Sequence, residues 1–303
     1  MSVEERTFVY SEPGGESDTI LADPAALEAA RARIVDEIRT AVDDASAEGV
    51  VVAMSGGLDS TVTAMLAVEA LGSDRVLGLG LPCHKTDRAH GGDARTMADG
   101  LGIEFHEIQL RPLLEAFDAA VTPDLEPPDA DGRRPNERTR EQGNAVARLR
   151  MACAYYAANR QSRLVLGTAN RSELLVGYVT KFGDGAADAY PIGDLYKTEV
   201  RALAEWIGIP RRILAKEPTA GFRAGQRDAD DLGADYETID PLLRRIVDDG
   251  ASITEAADEL GIDRTTARTF AWLVAETAHK RTRPPTPGVG GRTPFDREFK
   301  PVE

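Results

Sequence analysis

An apolar run, Val50-Val51-Val52-Ala53-Met54, breaks at Ser55-Gly56-Gly57 and enters a segment of helical period that opens Leu58-Asp59-Ser60-Thr61. Strand, glycine turn and helix in that order predict one unit of a parallel α/β sheet. The two glycines permit backbone geometry and close approach that a side chain forbids. Backbone N–H groups and the dipole at a helix start favour an anion such as pyrophosphate. No Gly-Lys-Ser/Thr follows, so this is not a Walker A loop. Asp59 would repel a phosphate unless a divalent cation lay between them, which makes it a candidate Mg²⁺ ligand. Ser55, Gly56, Gly57, Leu58, Asp59 and Ser60 are the candidate triphosphate loop. The plainer alternative is a capped strand-to-helix turn with no ligand.

Strands are expected at 50–54, 75–81, 103–108 and 163–167, with helices between them at 60–71, 93–101, 111–121 and 140–160. Such alternation implies right-handed crossovers and an α/β fold: a parallel sheet with helices on both faces and C-terminal helices packed on it. Ligands of these sheets gather at the carboxyl ends of the strands, where the Ser55–Ser60 loop falls. Residues 1–22, with Pro13-Gly14-Gly15, are expected to form an irregular arm. A first helix follows, capped by Asp23 with Pro24 at its first position and Leu27, Ile34, Ile38 and Val42 on one face. A single domain spans 23–281. Residues 122–137, which hold four prolines, are expected as a mobile excursion, and 282–303 as an extended or disordered tail. Two helical patterns around Gly261-Ile262-Asp263, within 252–279, resemble a helix-turn-helix, although their mixed charge favours a helical pair packed on the domain over DNA recognition.

The formal net charge of −15 argues against broad attraction to nucleic acid or an anionic membrane. No apolar run reaches membrane-spanning length and the start lacks a signal-peptide pattern, so a cytoplasmic protein is expected. Cys83 and Cys153 form no Cys-x-x-Cys pair, and Cys83-His84 with His90 makes at most a weak metal sketch. Only six of the 36 basic residues are lysines. An acidic, lysine-poor composition fits a high-salt cytoplasm, where self-repulsion is screened.

A second dense block begins at a strand's carboxyl end and places Thr168, Glu173, Lys181, Asp184, Asp188 and Lys197 within thirty residues. Glu173 could complete a two-carboxylate Mg²⁺ site with Asp59, while Lys181 and Lys197 could neutralise a triphosphate under attack.

The Ser55–Ser60 loop resembles the pyrophosphate loop of the N-type ATP pyrophosphatases, which have the adenine nucleotide alpha hydrolase-like fold. With Gly143-Asn144-x-x-Ala147-Arg148-x-Arg150-Met151, Leu166 to Lys197, and Glu217-Pro218-Thr219-Ala220-Gly221, the chain resembles ammonia-dependent NAD synthetase from about residue 24 to 282. The resemblance implies a ligase that adenylates the nicotinate carboxylate of deamido-NAD with MgATP, then amidates it with ammonia, giving NAD, AMP and pyrophosphate. It assigns ATP to the 55–60 loop, Thr168, Lys197 and Thr219, and Mg²⁺ to Asp59 and Glu173. Asn144, Arg148, Lys181, Asp184, Asp188, His279 and Lys280 would contact deamido-NAD. Asp184, Lys197 and Lys181 are the candidates for the reacting groups; for Asp184 the alternatives are ordering its loop or receiving a proton from ammonium. The resemblance further implies a loop from Lys216 to Asp231 that closes over the intermediate, a homodimer, and ammonia that is free or supplied by a separate glutaminase. Alternatives are another pyrophosphatase of the same fold, such as a GMP synthetase subunit or a tRNA-thiolating enzyme, and a non-catalytic nucleotide-binding regulator.

Overall fold

The computed structural model describes residues 23–83, 87–125, 135–219 and 226–284. The expected arm and most of the expected tail lie outside the described residues, as do His84 and the centre of the 122–137 segment. The first helix, α1 (Pro24–Asp44), begins as its sequence predicts. The Asp23 carboxylate accepts the Ala25 and Ala26 N–H groups, and Leu27, Ile34, Ile38 and Val42 are buried.

Four strands follow among the described residues: β1 (Gly49–Ala53), β2 (Val76–Gly80), β3 (Glu104–Glu107) and β4 (Arg163–Leu166). They form a wholly parallel sheet in the order β3-β2-β1-β4. The central strands are apolar throughout because each face has its own core. Val50 and Val52 join the cluster beneath α1, α2 (Leu58–Leu71), α3 (Asp87–Leu101) and α7 (Lys197–Trp206). Val51, Leu77, Leu79 and Val165 join the opposite cluster under α4 (Arg111–Leu125) and α5 (Pro135–Arg160). Alternate residues of a strand point to opposite faces, so these buried runs require helices on both sides. The chain leaves β1 for β2 on one side and returns to β4 on the other, which opens a crevice at the carboxyl ends of β1 and β4.

The segment expected as a mobile excursion, 122–137, is helical at both described ends. Pro123 lies in the last turn of α4 and Pro135 opens α5. Proline is tolerated where its missing N–H costs little, at the first turn above all.

The polypeptide after β4 builds a third layer from α6 (Arg171–Val176), α9 (Asp228–Leu232), α10 (Tyr236–Leu243), α11 (Ile253–Leu260) and α12 (Arg264–Glu276), while α8 (Arg211–Leu214) packs Ile213 into the cluster under α1, α2, α3 and α7. Leu175, Val176, Tyr236, Ile239, Leu242, Ala256, Ala267 and Phe270 form its core. The predicted helical pair is present: Ser252 and Glu255 make a capping box at the start of α11, and Gly261 ends it in the left-handed conformation. Ala267 and Phe270 of α12 are committed to this core, and Thr269, Leu273 and Thr277 face a cavity, so the second helix is a wall of the domain.

Candidate active site

The turn after β1 is held by its own hydroxyls. Ser60 Oγ accepts the Ser55 N–H at 3.2 Å and lies 3.1 Å from Ser55 Oγ, which in turn accepts the Gly57 N–H at 3.2 Å. Thr61 Oγ1 donates to the Gly57 carbonyl at 2.7 Å. Gly56 has φ +77°, a region that disfavours a Cβ. Gly57 caps α2 without a side-chain bond, so the first N–H groups of that helix are left for a ligand. The loop forms one wall of a cavity of about 1270 Å³ at the strand ends.

Three charged side chains from separate elements converge beside it. Lys197, first residue of α7, donates from Nζ to Asp59 Oδ2 at 2.5 Å and to Glu173 Oε1 at 3.2 Å. The Lys197 side chain is only 9% exposed, so this ion triad is held largely out of water. Asn170, the buried N-cap of α6, ties the carboxylates together: its Nδ2 donates to Asp59 Oδ1 at 3.1 Å, and its Oδ1 accepts the Glu173 N–H at 3.1 Å. The Asn170 N–H donates back to Glu173 Oε2 at 3.3 Å, which completes a capping box. Burial pushes the Glu173 carboxyl up to about 7, with Asp59 and Asp228 acting in the same sense against Lys197. Burial alone would pull the Lys197 ammonium down, but the two carboxylates outweigh it and hold it protonated.

Among the described residues no group of three His, Cys, Asp or Glu side chains is arranged to hold a metal ion. Two carboxylates already facing one cation are nonetheless a fitting donor set for Mg²⁺, which takes one or two carboxylates and completes its shell with water and phosphate oxygens.

The remaining predicted residues divide into two groups. Thr168, Thr219, Asn144, Asp184 and Lys280 line the cavity with the loop and the triad. Asn144 Oδ1 accepts the Thr180 hydroxyl at 2.8 Å, and Asp184 Oδ1 accepts the Thr180 N–H at 2.9 Å, an arrangement that orders the 180–184 turn. Asp184 lines the cavity. The surrounding walls raise its carboxyl above the ordinary range, against the Thr180 N–H. Lys280 Nζ donates to the Gly177 and Val179 carbonyls at 2.6 and 2.9 Å, and burial lowers its pKa. Arg148, Lys181, Asp188 and His279 stand outside the cavity wall. Arg148 Nε donates to the Lys181 carbonyl at 3.2 Å, and Lys181 Nζ lies 3.4 Å from His279 Nδ1, so these three form one outer group. Asp188 accepts the Val165 N–H at 2.7 Å and the Tyr155 hydroxyl at 3.1 Å, which commits one oxygen to the edge of β4 and the other to α5.

Sequence reasoning gave no role to three residues that the fold brings into the site. Asn170 was legible as an N-cap three residues before a glutamate. Lys216 donates to the Gly56 carbonyl at 2.6 Å and pairs with Asp93 Oδ2 at 2.6 Å, which lowers the Asp93 pKa. Asp228, placed by sequence in a closing loop, is instead buried at the start of α9, where it accepts the Tyr236 hydroxyl at 3.1 Å. Only tertiary packing reveals the last two, Lys216 against α3 and the phosphate loop and Asp228 within the third layer.

A family model described as NAD synthase matches residues 30–284. The chain is 43% identical over 251 residues to the NH(3)-dependent NAD(+) synthetase of Methanococcoides burtonii, covering 83% of this chain and 91% of that protein. It is 40% identical over 257 residues to the enzyme of the same name from Halobacterium salinarum, covering 85% and 92%. Among solved structures, NMN synthetase from Francisella tularensis superposes with a TM-score of 0.72 at 34% identity, covering 86% of this chain and 98% of that one. Likeness along nearly the whole domain, and not at the phosphate loop alone, places this chain in the NAD synthase family.

Proposed function

We infer that the chain is an ammonia-dependent NAD synthetase, which converts deamido-NAD, ATP and ammonia to NAD, AMP and pyrophosphate. The observation that carries this inference is the buried Asp59–Lys197–Glu173 triad set against an open phosphate loop. A carboxylate is a poor acyl donor because its leaving group would be oxide. In the first step a nicotinate carboxylate oxygen attacks the α-phosphorus of ATP, and the bond to the bridging oxygen breaks to release pyrophosphate. In the second, the nitrogen of ammonia attacks the acyl carbon, AMP leaves with the former carboxylate oxygen, and a proton is lost from nitrogen.

The residue roles are proposals of the same kind. Free N–H groups at the start of α2 and the hydroxyls of Ser55 and Ser60 would hold the triphosphate, with Thr168 and Thr219 beside it. Asp59 and Glu173 would hold Mg²⁺, which when bound supplies Lewis-acid neutralisation of phosphate charge. Lys197, shared between those carboxylates, would turn toward the non-bridging oxygens on which charge develops. Thr180 and Asp184 would orient the nicotinate end, with Asp184 ordering the turn through the Thr180 N–H. The outer group of Arg148, Lys181 and His279 would reach deamido-NAD from outside the cavity. A homodimer is supported by the exposed apolar side chains of α4 and α5, among them Leu113, Phe117 and Tyr156. Among the described residues no helix is long and apolar enough to cross a membrane. A cytoplasmic enzyme using free ammonia, or ammonia from a separate glutaminase, fits these features.

Product analysis in concentrated KCl tests the function. NAD, AMP and pyrophosphate should form with ATP, Mg²⁺, deamido-NAD and ammonium, and not with glutamine. Because the chain also resembles an NMN synthetase in fold, nicotinate mononucleotide is the informative competing substrate. Its preferential amidation would overturn the assignment of deamido-NAD.

A further inference from the structure

Asp240 belongs to no motif and lies outside the cavity wall, yet its side chain is completely buried against the two segments that carry Glu173 and Lys197. Its Oδ1 accepts the Ser172 hydroxyl at 2.6 Å. Its Oδ2 accepts both the Thr198 N–H at 2.9 Å and the Thr198 hydroxyl at 2.8 Å. Ser172 Oγ in turn accepts the Lys197 N–H at 2.9 Å. One carboxylate on α10 thus grips the residue before Glu173 and the residue after Lys197, and through Ser172 it also holds the Lys197 amide. Eight residues on, Asp248 grips the same two segments, one position earlier in the first and two in the second: it pairs with Arg171 and accepts the Tyr196 hydroxyl at 2.7 Å.

A buried carboxylate is costly unless fully hydrogen-bonded, and uncharged packing would join α10 to α6 and α7 without that cost. What the carboxylate adds is fixed direction, because its acceptors set where the two helix starts lie relative to each other. We propose that Asp240 is a positioning residue, which sets the spacing of Glu173 and Lys197 and so the fit of the triad to the Mg²⁺-bound triphosphate. This rests on the function proposed above. The third layer, through α10, is then part of the machinery that binds nucleotide, although Asp240 touches neither substrate nor metal.

The test compares Asp240→Ala and Asp240→Asn with Leu242→Ala, a packing change at another buried position of α10. Binding of α,β-methylene-ATP with Mg²⁺, measured by calorimetry, needs no turnover. The Asp240 variants should bind roughly tenfold or more weakly, since a small misplacement of a positioned group is enough for such a loss. Their kcat/KM for ATP should fall in parallel while KM for ammonia stays within about twofold of wild type. Leu242→Ala should lower Tm without moving nucleotide affinity by more than about twofold. Asp240 variants that bind the analogue as Leu242→Ala does would overturn the proposal. Should they fail to fold, Ser172→Ala removes the hydroxyl between Asp240 and the Lys197 amide; weakened analogue binding supports the proposal and wild-type affinity refutes it. A wild-type chain that binds the analogue and makes no NAD would instead defeat the functional assignment, leaving the affinity comparison to decide the role of Asp240.

Discussion

Replacing Lys197 by methionine keeps the volume of the side chain and removes its charge, which isolates what the ammonium contributes. In the wild-type chain that ammonium is paired with two carboxylates at 2.5 and 3.2 Å. Breaking one side of a buried ion pair costs about 3–5 kcal/mol, because the partner charge is left uncompensated. Two features place this site at the lower end of that range. Asn170 continues to donate to Asp59 and Glu173, and Glu173, already pushed up to about 7, can take a proton. For a chain of this size, about 3 kcal/mol corresponds to a Tm loss of roughly 5 °C. Scanning calorimetry of Lys197→Met in concentrated KCl with EDTA should show that loss. Millimolar Mg²⁺ should restore more of it in the variant than it adds to the wild type, because the cation takes the place of the lysine. NAD formation should fall by about 10²-fold or more, as expected when a charge opposite the developing phosphate charge is deleted. A variant with wild-type Tm in EDTA and a wild-type rate would refute the assignment of the triad.

Other outcomes follow from the same geometry. Asp59→Ala and Glu173→Ala should each abolish Mg²⁺-dependent turnover while circular dichroism stays native, since neither removes core volume; wild-type rates would contradict the metal assignment. Lys216→Ala, which frees the Gly56 carbonyl and Asp93, should weaken nucleotide binding measured at equilibrium, and unchanged affinity would confine Lys216 to the surface. Burial holds the Asp240 carboxyl up at about 6, above the ordinary value of 3.8, with Ser172 and Thr198 opposing. Between those pH values the native state binds the extra proton, so wild-type stability should rise relative to Asp240→Asn as pH falls from 7 to 4, by up to about 3 kcal/mol. A difference independent of pH would contradict it. With a formal charge of −15, the folded chain should lose circular dichroism in dilute buffer and regain it in concentrated KCl, whereas full stability without salt would argue against adaptation to a high-salt cytoplasm.

The sheet was legible because its strands are short apolar runs bounded by turn residues, and the four predicted strands agree with the observed bounds to within a residue or two at each end. The same holds for α1, whose cap and proline announce its start. Helices α6, α7, α9 and α10 were not foreseen, and the reason is physical. They run only 6, 10, 5 and 8 residues, too short for a helical period to stand out against the loops between them, and they bury Lys197, Glu199, Asp228 and Asp240, residue types that sequence alone assigns to the surface. Motif reasoning found Asp59, Glu173 and Lys197 individually, but Asn170, which ties the carboxylates together, and Asp240, which grips their supports, depend on contacts between segments up to 111 residues apart. At 122–137, expected as a mobile excursion, two of the four prolines sit at helix ends, one in the last turn of α4 and one opening α5.

Isotope transfer tests the central claim of adenylation followed by amidation. Deamido-NAD carrying ¹⁸O in both oxygens of its nicotinate carboxylate is turned over with ATP, Mg²⁺ and ammonium, and the products are weighed by mass spectrometry. The account predicts one ¹⁸O in the phosphate of AMP and one in the NAD carboxamide, since the attacking oxygen leaves with AMP. AMP free of label, with NAD still formed, would show that the carboxylate is not adenylated and would contradict the account.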